Sequence, residues 1–145
     1  MTIRSATEND LPGILDLYSQ PDMDDGAVLS VEDAKTIFTR MASYPDYTVF
    51  VAEADGCIVA TFALMVMDNL AHMGSKSAII EDVVVAQSFQ NRGIGKQMME
   101  YAMEICRAKA CYKVSLSSNL KRSNAHRFYE GLGFTVHGYS YLTEL

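Results

Sequence analysis

The chain has 145 residues, of which 49% are apolar and 21% charged, enough apolar sequence for one buried core and too much for a disordered protein. No apolar stretch approaches the roughly 18 residues that span a membrane, and the first ten residues lack the apolar segment of a secretion signal. The net charge is −6 and no basic stripe is interleaved with aromatic residues, so a nucleic-acid-binding function is not expected.

The net charge hides an asymmetry between the two parts of the chain. Residues 1–91 carry 14 Asp and Glu against 4 Lys and Arg, whereas residues 92–145 carry 4 against 8. The first part therefore suits a cationic ligand and the second an anionic one, although ordinary solvated surface also explains the pattern. The three cysteines are an odd number without metal-ligand spacing, which favours reduced thiols in a cytoplasmic protein and no metal site.

The first half predicts a strand, two helices and a β-hairpin. Apolar residues at helical spacing follow the strand, and Ser30 with Asp33 resembles a capping box at the start of the second helix. Asp55-Gly56 lies between two apolar, β-branched segments and is a strong two-residue hairpin turn. We expect a strand at 2–7, a helix through 11–18, an acidic loop at 20–30, a helix to about 43, and strands at 47–54 and 57–67.

The second half predicts alternating strands and helices. A strand at 78–86 is followed by a helix of about four turns from Ile94, then by a strand at 112–118. This strand–helix–strand order forms a right-handed crossover, so its two strands should run parallel. A helix over about 122–132 should end at Gly133 in left-handed geometry, and residues 134–145 supply two short strands or one bent strand. The fold class is α/β.

The segment from Gln90 to Lys96 places two glycines at the start of the long helix. It is not a Walker A loop, which needs a glycine where Gln90 stands, and Met98 replaces the third glycine of a dinucleotide fingerprint. A turn that directs backbone N–H groups outward at a helix N-terminus binds phosphate. A tight turn without a ligand is the alternative.

The residues Gln90-Asn91-Arg92-Gly93-Ile94-Gly95 match the Q/R-x-x-G-x-G/A motif, and with them the chain resembles the GNAT N-acetyltransferase superfamily. The preceding valine strand and the stretch AHRFYEGLGF at 125–134 are similar to the family's cofactor strand and C-terminal helix. The resemblance implies one domain over residues 1–145, with a mixed sheet of about 6–7 strands and helices on both faces. The stretch LSSNLKRSNAHRFYEGLGF resembles aminoalkylphosphonate N-acetyltransferases, and IIEDVVV with the glycine turn is similar to glucosamine 6-phosphate N-acetyltransferases.

The family resemblance implies acetyl-CoA as cosubstrate and no metal. The pantetheine arm would pair with the valine strand, and the pyrophosphate would lie on the backbone N–H groups of the glycine turn. Arg122 stands where many family members carry Asn, so no contact is assigned to it. The implied cofactor-binding residues are Val83, Val84, Val85, Asn91, Arg92, Gly93, Ile94, Gly95 and Lys96.

The chemistry of the acceptor selects the candidate catalytic residues. An alkyl amine of pKa ~10.4 is neutral in only about one molecule in 2,500 at pH 7, so a nearby carboxylate is needed to take its proton. Glu81 and Asp82 precede the valines, and strand alternation should separate them onto opposite faces. The resemblance favours Glu81 as the base, with substrate binding as its alternative role, and places Tyr129 beside the leaving sulfur as the acid.

The sequence leaves open which class of amine accepts the acetyl group. The resemblance indicates anionic small-molecule amines, whereas the acidic loop around Asp24 suits a polyamine or a basic peptide end. Acetylation of a small-molecule primary amine is the leading hypothesis. Acetylation of a protein or peptide amine and a non-catalytic CoA-binding role are the alternatives, and a homodimer is expected from the family.

Overall fold

In the computed structural model, which describes all 145 residues, five strands and four helices follow one another in a mixed α/β order. The strands are β1 (Thr2–Ser5), β2 (Tyr47–Ala54), β3 (Cys57–Met67), β4 (Lys76–Val85) and β5 (Cys111–Ser115). The helices are α1 (Leu11–Tyr18), α2 (Val31–Met41), α3 (Ile94–Ala108) and α4 (Ser123–Gly131). Single 3-10 turns lie at Glu8–Asp10, His72–Gly74 and Gln87–Phe89.

The chain forms two compact units. Met1–Ser115 contains the whole sheet with α1, α2 and α3, and Leu116–Leu145 contains α4 and the C-terminal segment.

The sheet has the spatial order β1-β2-β3-β4-β5, the same as the order along the chain. The first three pairings are antiparallel, and β4 pairs with β5 in parallel, as the predicted crossover requires. The predicted hairpin turn between β2 and β3 is confirmed, with Asp55 at φ 51° and Gly56 at φ 75°. Two central residues with positive φ match the right-handed twist of the strands that they join.

The prediction of 6–7 strands is wrong, because residues 134–145 form no strand. Their alternating apolar residues gave the expected pattern, but a strand needs a partner ladder for its N–H and C=O groups. Instead, their large apolar side chains lie exposed, with Val136 at 87%, Tyr139 at 89% and Tyr141 at 88%. The predicted helix before this segment is present as α4, and Gly133 follows it at φ 90° as expected.

Helices cover both faces of the sheet, as predicted. On one face, the ring of Tyr101 in α3 meets the ring of Phe50 edge-on at 5.7 Å, and Phe50 stacks on Phe62 of β3 at 5.1 Å. On the other face, α1 and α2 bury their apolar residues against Val51, which follows Phe50 and so points the opposite way. Helix α1 approaches the sheet closely at Gly13, where a Cβ atom would lie 2.9 Å from the Cβ of Ile58.

An ion-pair network fixes the N-terminal strand to the start of α1. Arg4 donates from Nη1 to Oδ2 of Asp10 at 2.7 Å and from Nη2 to Oε2 of Glu53 at 2.7 Å. Asp10 also accepts from the backbone N–H and the hydroxyl of Thr7. Its side chain is only 8% exposed, and the hydrogen bonds from Arg4 hold the pKa of this carboxyl well below its ordinary value. The buried carboxylate is therefore stabilised in its charged form.

We predict that Asp10→Asn destabilises the protein at neutral pH by about 2 kcal/mol, because the substitution removes the charged hydrogen bonds to Arg4, which then keeps only Glu53 as a carboxylate partner. Folding lowers the pKa of Asp10. The ionised carboxylate therefore contributes its full share of stability above its unfolded pKa of ~3.9, and this share is lost as the pH falls from there toward the folded pKa. Urea unfolding followed by circular dichroism at pH 7 and at successively lower pH should show the difference from wild type narrowing below about pH 4.

Glu8→Gln, which changes an exposed carboxyl in the same turn, is the matched control and should follow wild type. A loss of stability for Asp10→Asn that does not change with pH would contradict the ionic explanation.

Candidate active site

A β-bulge in β4 places the two neighbouring carboxylates. Thr61 pairs with Val84 and Ala63 with Glu81, so two residues of β4 oppose one of β3. Asp82, the first of those two, has φ 54°, in the left-handed region that Asp tolerates better than most residues. The regular alternation predicted for Glu81 and Asp82 is therefore interrupted at this pair. The carboxylates lie at a point where the strand bends.

The surroundings of these carboxylates disfavour negative charge. Glu81 is exposed, but partial loss of hydration raises the pKa of its carboxyl, and the neighbouring Asp82 carboxylate raises it further. Burial likewise raises the pKa of Asp82, with a smaller contribution from Asp24 in the loop after α1. Burial and then the charges of Asp82 and Glu81 raise the pKa of the Tyr47 phenol on β2. The Glu81 and Asp82 carboxyl groups, both with raised pKa values, thus lie in one region with the Tyr47 phenol, and the loop residue Asp24 contributes negative charge to it.

Beyond the bulge, one edge of β4 has no strand beside it. β5 pairs with β4 only from Lys76 to Ile79, whereas β3 pairs with β4 as far as Val85. The backbone of Val83 to Val85 therefore presents hydrogen-bonding groups along a free edge. Val84 is buried and its two neighbours are half-buried, so this edge has an apolar lining.

The turn that follows leads directly into α3. Asn91 has φ 59° and Gly93 has φ 80°, and the space that a Cβ of Gly93 would occupy contains no atom within 4 Å. The first backbone hydrogen bond of the helix runs from Gln97 N–H to Gly93 C=O. The N–H groups of Ile94, Gly95 and Lys96 precede it, so they have no acceptor within the helix, and no side chain caps them. The turn thus offers open backbone donors at the positive end of a 15-residue helix.

Side chains on the turn add positive charge at its surface. The Arg92 guanidinium lies 5.0 Å from the centre of the Phe89 ring, and Lys96 is paired with Glu100 at 3.8 Å on the exposed face of α3. Gln90 donates from its amide to the C=O of Val85 at 3.2 Å and so ties the turn to the end of β4.

The segment between β4 and this turn is also tied to the acidic loop. The N–H of Gln87 donates to the side-chain oxygen of Gln20 at 2.9 Å, and the N–H of Ala86 donates to the C=O of Val59 at 2.8 Å. Gln20 lies two residues after the end of α1, at the start of the acidic loop that carries Asp24.

A cavity of about 300 Å³ opens between α1, α2, the acidic loop and the sheet, and Asp82 lines it. The other polar groups of this cavity are Tyr18, Asp24 and Tyr47, of which the sequence indicated only Asp24, as part of the acidic loop. In the sequence, Tyr18 and Tyr47 have the spacing of residues that pack in the core. Only the acidic composition of the loop indicated a role for Asp24. These residues are brought together by contacts between elements far apart in the sequence.

Tyr129 lies in the second unit, in the last turn of α4. Its ring packs edge-on against Phe128 at 5.1 Å and against Phe134 at 5.8 Å. Burial raises the pKa of its phenol, and the charge of Arg122 opposes part of this effect. The phenol is therefore held in its protonated form at neutral pH.

The sequence profile of the Acetyltransferase (GNAT) family matches residues 11–134 and so runs through both units. The chain belongs to the GNAT acetyltransferase family. Glucosamine 6-phosphate N-acetyltransferase of Trypanosoma brucei brucei is 35% identical over 138 residues, a match that covers 94% of this chain and 90% of the relative.

Solved structures agree with this GNAT assignment. A putative acetyltransferase from Agrobacterium tumefaciens str. C58 superimposes with a TM-score of 0.93 at 32% identity, covering 100% of both chains. Glucosamine-6-phosphate N-acetyltransferase from Arabidopsis thaliana gives a TM-score of 0.87 at 28% identity, covering 99% of this chain and 97% of its own. The protein is thus an acetyl-CoA-dependent N-acetyltransferase of the GNAT family.

No group of three or more His, Cys, Asp or Glu side chains is arranged to hold a metal ion. None of the helices combines the length and the apolar character that crossing a membrane requires.

We predict that Asp82→Asn lowers the pKa of Glu81, because the substitution removes the negative charge that helps to raise it. Asn tolerates the left-handed backbone of this position, so the bulge should persist. The titration of the Glu81 side-chain carboxyl, followed by ¹³C NMR, measures the effect. Asp68→Asn, at an exposed carboxyl beyond the end of β3, is the control and should leave that titration unchanged. An unaltered Glu81 titration in Asp82→Asn would refute the coupling.

Proposed function

We propose that this GNAT protein transfers an acetyl group from acetyl-CoA to the primary amine of a small molecule by direct attack, with Glu81 as base and Tyr129 as acid. The observation that carries the proposal is the position of the free β4 edge, which begins beside Glu81 and leads into a turn of unpaired N–H groups. An extended, polar thioester chain ending in phosphates matches this sequence of groups.

The chain's groups fit the parts of acetyl-CoA. The free edge of Val83, Val84 and Val85 offers hydrogen bonds to the amides of the pantetheine arm, as an added strand would receive them. The backbone of the turn, from Asn91 to Lys96, suits the pyrophosphate, since N–H groups at a helix N-terminus attract anions. The open space over Gly93 permits close approach of that group. The proposed contacts are made by Val83, Val84, Val85, Asn91, Arg92, Gly93, Ile94, Gly95 and Lys96.

Glu81 is proposed to take the proton of the attacking amine, directly or through water. Its raised pKa makes it a better proton acceptor than a carboxylate of ordinary pKa, and the free edge begins next to it. An unassisted amine of pKa ~10.4 would add roughly 4.6 kcal/mol to the barrier at pH 7. When bound, acetyl-CoA supplies an activated acetyl group, whose C–S bond breaks as the C–N bond forms and whose sulfur leaves with the electron pair.

Tyr129 is proposed to donate a hydrogen bond to the leaving sulfur. The support is chemical, since its buried phenol keeps its proton at neutral pH. Full transfer from a phenol of pKa ~10 to a thiolate of ~8.5 is uphill by about 2 kcal/mol, so a hydrogen bond to developing charge is the more economical role.

A single domain over residues 1–145 that assembles as a homodimer completes the proposal. The family match spans both units, and the exposed apolar side chains of residues 134–145 suit an interface with a second copy. Sedimentation equilibrium of the full chain at twice 16.0 kDa would support the dimer, and a monomeric mass would oppose it.

Isothermal titration of acetyl-CoA into the chain should detect one tight site. Gly93→Val should abolish that heat while the protein keeps its fold, because a branched side chain fills the open approach and also strains the backbone at φ 80°. Gly26→Val, at another positive-φ glycine with open space, controls for backbone strain and should still bind. Absence of binding to the unaltered chain, or protection by ATP instead, would refute the assigned site.

Glu81→Gln should lower kcat at pH 7 by about 10²- to 10⁴-fold, the range for removal of a general base, with little change in the affinity for acetyl-CoA. Release of the CoA thiol over an amine panel measures this effect. The loss should shrink as the pH rises, because more of the amine is then already neutral. Substrate binding alone would instead raise KM and leave kcat and its pH profile near wild type.

Tyr129→Phe should lower kcat, and Tyr139→Phe, at a tyrosine that is 89% exposed, should leave it unchanged. Equal turnover in both variants would remove Tyr129 from the mechanism. Binding of acetyl-CoA without turnover of any amine would favour the non-catalytic alternative, and turnover of peptides alone would favour a protein acceptor.

A further inference from the structure

The cavity beside Asp82 is almost wholly apolar. Its 16 lining residues include only four with polar side-chain groups, namely Tyr18, Asp24, Tyr47 and Asp82. The remainder are aliphatic or aromatic residues from α1, α2, the acidic loop and the sheet, among them Ile37, Phe38 and Met41. Its volume of about 300 Å³ lies at the lower end of small-molecule sites.

The cavity carries negative charge and no positive charge. Asp24 and Asp82 approach it from the loop and from the bulge, and none of its lining residues is Lys, Arg or His. A phosphate or phosphonate placed here would lose its hydration and meet two carboxylates without a compensating cation. An ammonium group has the opposite balance, because both carboxylates and the aromatic rings of Tyr18, Tyr47 and Phe38 attract it.

The cavity also lies at the proposed chemical centre. Asp82 lines the cavity and is the immediate neighbour of Glu81 at the bulge. Tyr47 also lines it, and after burial the charges of Asp82 and Glu81 raise the pKa of its phenol. An amine held by Asp82 would therefore lie near the proposed base, with the rest of the molecule directed between α1 and α2.

We infer that the acceptor is a small primary amine with an alkyl or aryl body and no anionic group, held in the cavity between α1 and α2 with its ammonium at Asp82 and Asp24. The inference rests on the proposed function and assigns its substrate class. It departs from the substrate in the names of the glucosamine 6-phosphate relatives, because this cavity lacks a partner for a phosphate.

The test is a calorimetric titration of amines into the full chain in excess CoA, which prevents turnover and reads amine binding by itself. The probes are n-butylamine, n-pentylamine, n-hexylamine, glucosamine and glucosamine 6-phosphate. We expect each added methylene to tighten binding about four-fold, the equivalent of ~0.8 kcal/mol per buried CH₂. We also expect n-hexylamine to bind more tightly than either sugar, and the phosphate to weaken the binding of glucosamine.

Two variants on α2 form a matched pair for the same titration. Ile37 lines the cavity and is 38% exposed, whereas Val31 is 40% exposed and does not line it. Ile37→Arg should weaken n-hexylamine by about ten-fold and strengthen glucosamine 6-phosphate, because it introduces a cation beside the bound ligand. Val31→Arg should change neither.

The outcomes separate the inference from the proposed function. Tighter binding of glucosamine 6-phosphate than of n-hexylamine, a flat series of alkylamines, or equal behaviour of Ile37→Arg and Val31→Arg would overturn the inference. The proposed function fails separately, through the absence of acetyl-CoA binding or of thiol release. If acetyl-CoA binds and glucosamine 6-phosphate is the preferred acceptor, the proposed function stands and the inference is wrong.

Discussion

The separation of β4 from β5 after Ile79 is the constraint on which the site depends. Inside a sheet both edges of a strand are used by neighbours, and an unpaired edge that is not covered is a liability that proteins usually block. Here the bulge at Asp82 and the loss of β5 leave the end of β4 paired on one side only. A polar ligand is thereby offered backbone groups that elsewhere in the sheet are already occupied.

Local chemistry made much of this fold predictable. The Asp55-Gly56 turn, the helix cap at Ser30 and the glycine at 133 each act through neighbouring backbone, so their residue types alone predicted them. The glycine turn before α3 belongs to the same class, since left-handed geometry at Gly93 follows from a missing side chain. The parallel pair of β4 and β5 followed from chain order and handedness.

The features that could not be predicted depend on residues far apart in the sequence. The bulge at Asp82 reflects the register between two strands, and the cavity needs α1, α2 and three strands to meet. The buried stripe of α3 includes Met98, Ala102 and Cys106, whereas the sequence predicted the helix without assigning this buried face. Periodicity identified the helix, but packing against the sheet selected the face.

In the C-terminal segment, the sequence pattern predicted a strand that the structure does not contain. The period-two pairs Phe134 with Val136 and Tyr139 with Tyr141 are typical of strands, but no ladder exists for them within this chain. A sequence pattern shows which apolar residues a strand would bury. Whether the strand forms depends on a neighbouring strand with which its backbone can pair.

The hydrogen bond between Gln20 and Gln87 joins the loop that carries Asp24 to the segment leading into the glycine turn. Immobilising either segment would therefore restrict the movement of the other through this hydrogen bond. If two ligands are coupled in this way, each changes the binding affinity of the other by the same factor. If the two proposed sites are occupied together, this amide side chain is one direct contact through which each ligand would stabilise the segment that holds the other.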